Sequence, residues 1–165
     1  MSKIPDRWFD YSNVGAVVEG TRFIAFKVPL SKNEDWNLKE LKRQVPDLKL
    51  IIDLTNTMKY YHPRLSLIHR KIFVPGHVVP NKQIVEEFFS AVSECPEPES
   101  SLIGVHCTHG LNRTGYLVCR WMMEKAGLEP DTAITAFNTA RGHEQERGNY
   151  LEPLRRQRLR QVTRS

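Results

Sequence analysis

The apolar positions of this chain fall into short blocks that alternate between two periods. Arg22-Phe-Ile-Ala-Phe-Lys-Val28 is apolar and aromatic-rich and is bounded by Gly20 and Pro29, which predicts a strand. Leu48-Lys-Leu-Ile-Ile-Asp-Leu54 is a nearly continuous apolar run, as expected of a central buried strand. Arg70-Lys-Ile-Phe-Val74 and Leu102-Ile-Gly-Val-His106 predict two more. Between these blocks the period changes. Trp36 to Val45 reads as a short helix stopped before Pro46, and Lys82 to Glu94 carries Ile84, Val85, Phe88, Phe89 and Val92 as a helical stripe. Further helices are expected from about Arg113 to Ala126 with Gly127 as cap, from an Asp131 N-cap to Ala140, and from Tyr150 to about Arg160. Strands alternating with helices predict an α/β layered fold.

Composition narrows the class. The chain has 165 residues, enough for one compact domain with a sizeable core, and 40% apolar with 26% charged residues is ordinary for a globular protein. No apolar run is long enough to cross a membrane, and the first residues lack the apolar stretch of a secretory signal. Cys95, Cys107 and Cys119 are an odd, widely spaced set, which argues against a disulfide framework and for a reducing compartment, nucleus or cytoplasm. The net charge of +5 biases the chain toward polyanionic partners. Much of that bias sits at residues 154–165, which hold five arginines and no acid. We therefore divide the chain into a folded domain at 1–153 and a basic helix end or tail at 154–165. The tail reads either as a solvated basic face or as a non-specific RNA or nuclear-import contact.

The chemistry lies in His106-Cys-Thr-His-Gly-Leu-Asn-Arg-Thr-Gly115, between a predicted strand and a predicted helix. Such a passage aims backbone amides and the positive end of a helix dipole at one spot. The amides of Thr108, His109, Gly110, Leu111, Asn112 and Arg113 can wrap a phosphate, with Gly110 allowing the curvature. Arg113 can bond two phosphoryl oxygens at once. The field that attracts phosphate also stabilises a Cys107 thiolate, which makes Cys107 the expected nucleophile. Thr114 could bond the sulfur and help it leave, and His106 would support the loop by hydrogen bonding. Two other readings, a small core cysteine and a metal site of His106, Cys107 and His109, fit less well. The first ignores the other loop residues, and the second lacks a fourth ligand at the usual spacing.

This stretch matches the Cys-x5-Arg-Ser/Thr signature of the cysteine phosphatases. With Thr21 to Leu30, Leu50 to Thr57 and Tyr60-Tyr61, it is similar to the RNA 5′-triphosphatase branch of the dual-specificity phosphatase superfamily. Residues 140–150 are most similar to the subgroup of RNA/RNP-complex-interacting and baculovirus phosphatases. The resemblance covers about residues 4–153. It implies an α/β fold with a mainly parallel, mixed five-stranded sheet flanked by helices. It also implies chemistry with no metal or other cofactor, and a substrate that is the 5′-triphosphate end of RNA. The same subgroup implies removal of both γ and β phosphates and a substrate-phosphate contact from Arg147. RNA 5′ ends, and RNP or RNA-processing proteins, are the partners expected of a monomer.

The loop Pro75-Gly-His-Val-Val-Pro-Asn-Lys82, placed by that resemblance, bears on substrate through a different physical argument. Protein phosphatases of this superfamily usually offer an aspartic acid from this place, and here there is no acid. An alkoxide or phenolate benefits from a proton donor on leaving, whereas a phosphate-terminated group departs as a stable anion. Asp53 or His77 could still serve as an acid. The plainer role for Asp53 is support, through local amides and the Thr55 hydroxyl. Lys27, Lys59, Arg64 and Arg70 could border the site, with Lys27 taken as a candidate substrate contact, and Tyr60 or Tyr61 could stack on the first base. The rivals are a phosphatase of phosphoproteins or other phosphomonoesters, and a non-catalytic RNA- or RNP-binding phosphate reader.

Overall fold

A computed structural model describes residues 4–63, 67–144 and 150–157. Five strands form one sheet in the order β1-β2-β5-β3-β4: β1 Val14–Val17, β2 Phe23–Phe26, β3 Leu48–Asp53, β4 Ile68–Lys71 and β5 Leu102–His106. The pair β1·β2 is antiparallel and the other three pairs are parallel, so the expected mainly parallel mixed sheet is present. Among the helices are α1 Leu38–Gln44, α2 Lys82–Val92, α3 Asn112–Lys125 and α4 Pro130–Arg141, and residues 150–157 are also helical.

The strands are apolar on both sides because both faces are covered. Phe23, Ala25, Leu50, Ile52, Ile103 and Val105 point into one core with Phe88 of α2, Leu117 and Met122 of α3, and Phe137 of α4. Ile24, Phe26, Leu48 and Ile51 point into the other, with Trp8, Trp36 and Leu41. Period-2 alternation thus survives as a choice between two cores rather than between core and water, except across the register irregularity between Leu48 and Leu50, which puts those two on opposite sides. Gly104 of β5 lies where a Cβ would come within 2.5 Å of the Phe26 ring, which accounts for the absent side chain.

Several boundaries differ from the pattern reading. β1 is an edge strand of Val-Gly-Ala-Val with an exposed second half, too short and weakly apolar to signal itself. β4 covers 68–71 rather than 70–74. Its ladder with β3 ends at the pair Asp53 and Lys71, and the Val74 carbonyl is turned to Arg113 instead. α4 begins at Pro130, whose fixed φ suits the first helical position, so Glu129 occupies the N-cap and Asp131 falls in the first turn. Gly127 does follow α3 with φ +72°. Tyr150 and Leu154 of the helical residues 150–157 are buried in the first core, and Arg155 reaches Asp131 at 2.9 Å. Residues 158–165, most of the basic stretch, lie outside the described residues. No helix among the described residues is long and apolar enough to cross a membrane.

Candidate active site

The parallel strands β5 and β3 end together, and the chain leaving β5 runs through 107–111 into α3. The carbonyl of His106 accepts from the Leu54 amide at 2.8 Å, and that of Thr108 from the Val28 amide at 3.0 Å. These bonds fix the loop to the strand ends on either side. At Gly110, φ is +72° and a Cβ would lie 2.2 Å from the Phe26 carbonyl oxygen, so both conformation and space demand glycine. Leu111 is fully buried and anchors the loop in the core just before α3.

Cys107 sits at the base of this loop, 3% exposed. Its sulfur accepts from the Thr114 hydroxyl at 3.2 Å and from the amides of Leu111 and Thr114. Burial alone would push the thiol up. The Arg113 guanidinium, the Thr114 hydroxyl and the two amides outweigh it and hold the Cys107 pKa below the ordinary thiol value. Arg113 is oriented by the carbonyl of Val74, to which Nη1 donates at 2.8 Å, and by the Thr108 hydroxyl, to which Nη2 donates at 2.9 Å. A cleft of about 210 Å³ opens above these groups. Cys107, Thr108, His109, Asn112 and Arg113 line it from the loop side, Gly76 and His77 from the β4–α2 connection, Asp6, Arg7 and Tyr11 from the N-terminal segment, and Tyr150 from the helical residues 150–157.

Behind the loop lies a buried polar network. His106, fully buried, has Nδ1 3.0 Å from the Cys107 carbonyl and Nε2 2.7 Å from the Tyr61 hydroxyl. Burial lowers its pKa, while the nearby Asp53 carboxylate acts in the opposite direction. Burial also raises the Tyr61 phenol well above its usual value, with the Asp53 carboxylate acting in the same direction, so Tyr61 keeps its proton. Tyr61 also meets His69 at 3.1 Å. Asp53 accepts from the Thr55 amide at 3.0 Å and hydroxyl at 2.6 Å and pairs with Lys71 at 3.0 Å and His69 at 3.3 Å. Burial alone would raise the Asp53 carboxyl. His106, 3.7 Å away, together with His69, Thr55 and Lys71 reverses the sign and holds it well below the usual carboxylate range. Asp53 is therefore an ionised support, not a proton donor near neutral pH.

Arg141, at the end of α4 and 2% exposed, braces the loop from outside. Its guanidinium donates to the carbonyls of Gly110 at 3.0 Å and His109 at 2.7 Å, and to the Ser12 carbonyl and hydroxyl at 2.8 and 2.7 Å. Burial lowers its pKa to about 10, against the Cys107 charge that raises it, so it stays cationic. Turning the loop carbonyls outward to Arg141 leaves the amides facing inward.

Some expected contacts lie elsewhere. Lys27 is buried, not a wall of the cleft: Nζ donates to the carbonyls of Tyr11 at 2.9 Å and Trp8 at 3.1 Å and lies 3.8 Å from the Trp8 ring centre. It cannot reach a phosphate, because leaving those carbonyls would orphan them in the core. Tyr61 belongs to the network behind the loop rather than to a base-stacking surface, and Arg70 pairs with Glu94. Arg147 and Arg64 lie outside the described residues. Sequence reasoning missed Asp6, Arg7, Tyr11 and Arg141, which come from opposite ends of the chain and carry no local motif. No group of His, Cys, Asp and Glu among the described residues could hold a metal ion.

Residues 30–158 match the family described as dual specificity phosphatase, catalytic domain. The chain is 43% identical to the tyrosine-protein phosphatase of Autographa californica nuclear polyhedrosis virus, covering 91% of this chain and 98% of that one. It is 46% identical to the RNA/RNP complex-1-interacting phosphatase of Homo sapiens over 92% of this chain, and spans about half (51%) of that relative's length. The crystal structure of PTPMT1 in complex with PI(5)P shares the fold, with a TM-score of 0.68 over 90% of this chain and 96% of that one, at 17% identity.

Proposed function

The chain belongs to the dual specificity phosphatase family of cysteine phosphatases, and from that premise we propose that its substrate is the 5′-triphosphate end of RNA. The observation that carries this reading is the wall of the cleft at Gly76 and His77, part of a connection without a single carboxylate from Pro75 to Lys82. Asp53, the other acid weighed from the sequence, is buried behind the loop and held ionised. A site so equipped suits a leaving group that needs no proton, and a phosphoanhydride supplies one. The name of the human relative, which refers to an RNA/RNP complex, supports the same substrate class.

In this mechanism the Cys107 thiolate attacks the γ phosphorus in line. Arg113 and the loop amides take up the charge of the transferring phosphoryl group. The RNA diphosphate leaves, and water hydrolyses the phosphocysteine while Thr114 donates to the departing sulfur. A second round at the β phosphorus gives a 5′-monophosphate. Arg147 is a further substrate contact in this reading, RNA-processing proteins are the partners, and nucleus or cytoplasm is the site of action.

The test is incubation with end-labelled 5′-triphosphate RNA in EDTA, followed by identification of the 5′ end. Released phosphate with di- and then monophosphate ends is expected, and no release overturns the reading. One observation favours the phosphomonoester rival: Asp6 lines the cleft and could serve as an acid for an ester substrate. Under the triphosphate reading, Asp6→Asn and Asp53→Asn both keep the alkaline side of the pH–rate profile. Loss of that limb in either variant, or a higher kcat/KM on phosphotyrosine peptides than on triphosphate RNA, selects the rival.

A further inference from the structure

We propose that Arg7 forms a second phosphate subsite, taking the β-phosphate of the substrate while Arg113 takes the γ. The inference rests on the triphosphate reading and deepens it. Among the described residues lining the cleft, Arg7 and Arg113 are the two arginines, one from the N-terminal segment and one from the start of α3. The loop amides and Arg113 already match a terminal phosphoryl group. A triphosphate brings further anionic oxygens into the same cleft, and a second guanidinium lining it suits them in charge.

The N-terminal segment is held in place. His109 Nε2 donates to the Asp6 carbonyl at 2.6 Å, and the Tyr11 ring stacks on His109 with centroids 4.6 Å apart and planes at 26°. The segment is therefore tied to the phosphate loop on both sides of Arg7. From beneath, Lys27 bonds the carbonyls of Trp8 and Tyr11, and the buried Trp8 indole donates to the Val28 carbonyl at 2.9 Å. Lys27, the cation singled out from the sequence, thus positions the segment that carries Arg7. Arg7 itself adopts φ +59°, a left-handed conformation that is unfavourable for an L-residue and is sustained here by anchors on each side.

Arg7 pairs with Asp10 at 3.3 Å, but both side chains are at least half exposed, and such pairs are weak. The guanidinium also lies 5.4 Å from the centre of the Tyr11 ring, which keeps it beside the cleft. Asp6 opposes Arg7 in charge on the same wall, so the subsite is narrow rather than broadly basic.

The experiment compares kcat and KM for 5′-triphosphate RNA and for p-nitrophenyl phosphate in the wild type, Arg7→Ala, Arg7→Lys and Asp10→Asn. Arg7→Ala is expected to lower kcat/KM on triphosphate RNA about ten- to a hundredfold more than on the aryl ester, chiefly through KM. Arg7→Lys should recover part of the difference. Asp10→Asn should leave the ratio between substrates within about twofold. A wild type active on triphosphate RNA, with Arg7→Ala affecting both substrates equally or neither, overturns the subsite alone. A wild type inactive on triphosphate RNA overturns the substrate assignment and the subsite with it. If Arg7→Ala and Asp10→Asn lower Tm and both activities in parallel, Arg7 is structural and the proposal fails.

Discussion

Cys107 and Cys119 are twelve positions apart, one just before α3 and one inside it, and both are buried, yet their thiols are shifted in opposite directions. At Cys119 burial acts alone and pushes the pKa far above the ordinary value, which leaves a small inert hydrophobe. At Cys107 the same burial is opposed by Arg113, Thr114 and the amides at the start of α3, and the pKa falls below the ordinary value. Burial therefore does not decide reactivity. The donor set does, and burial strengthens it by removing competing water.

Four substitutions test whether the donor set governs the two thiols. Cys107→Ser should lower turnover by several orders of magnitude while RNA binding persists; wild-type activity in EDTA would rule out a phosphocysteine. Arg113→Lys keeps the charge but loses the planar fork, so kcat should drop roughly 10²- to 10³-fold. A change of less than about twofold would mean that charge alone suffices.

Thr114→Val removes one donor to the sulfur. The Cys107 pKa is depressed in the folded enzyme, so alkylation by iodoacetamide should rise at lower pH than for Cys95, whose thiol burial raises. In Thr114→Val that rise moves to higher pH, and kcat falls about tenfold. An unmoved alkylation profile would show that Thr114 does not hold the thiolate. Cys119→Ala should leave activity within about twofold and cost about 1 kcal/mol, seen as a Tm lower by about 2–4 °C. Alkylation of Cys119 at neutral pH in the folded protein would contradict the assignment of an inert thiol.

The two cysteines also mark how far local pattern reaches. The role of Cys107 was readable because its partners are its neighbours: Leu111, Arg113 and Thr114 lie within one strand-to-helix turn. Gly110 and Gly127 were readable for the same reason, since backbone conformation is local. Lys27 was not. Its surroundings depend on Trp8 and Tyr11 folding over it from an earlier segment, and a lysine inside an apolar strand looks alike whether it faces a ligand or two carbonyls. Asp53 fell between. Its bond to Thr55 is local, but its ionisation depends on His69, Lys71 and His106, brought alongside by the parallel pairing of β3 with β4 and β5.

By itself the sequence determined the alternating elements, the layered α/β class, the phosphate loop and its nucleophile. Each of these is encoded in contiguous residues whose periodicity or spacing has one physical solution. Only the tertiary structure decided the edge strand β1, the brace from Arg141 and the cleft wall of Asp6, Arg7 and Tyr11. The brace joins positions more than a hundred residues apart, as Ser12 and Arg141 are, and β1 is a strand only through its pairing with β2. Their energies come from packing and hydrogen bonds that exist only once the sheet has assembled.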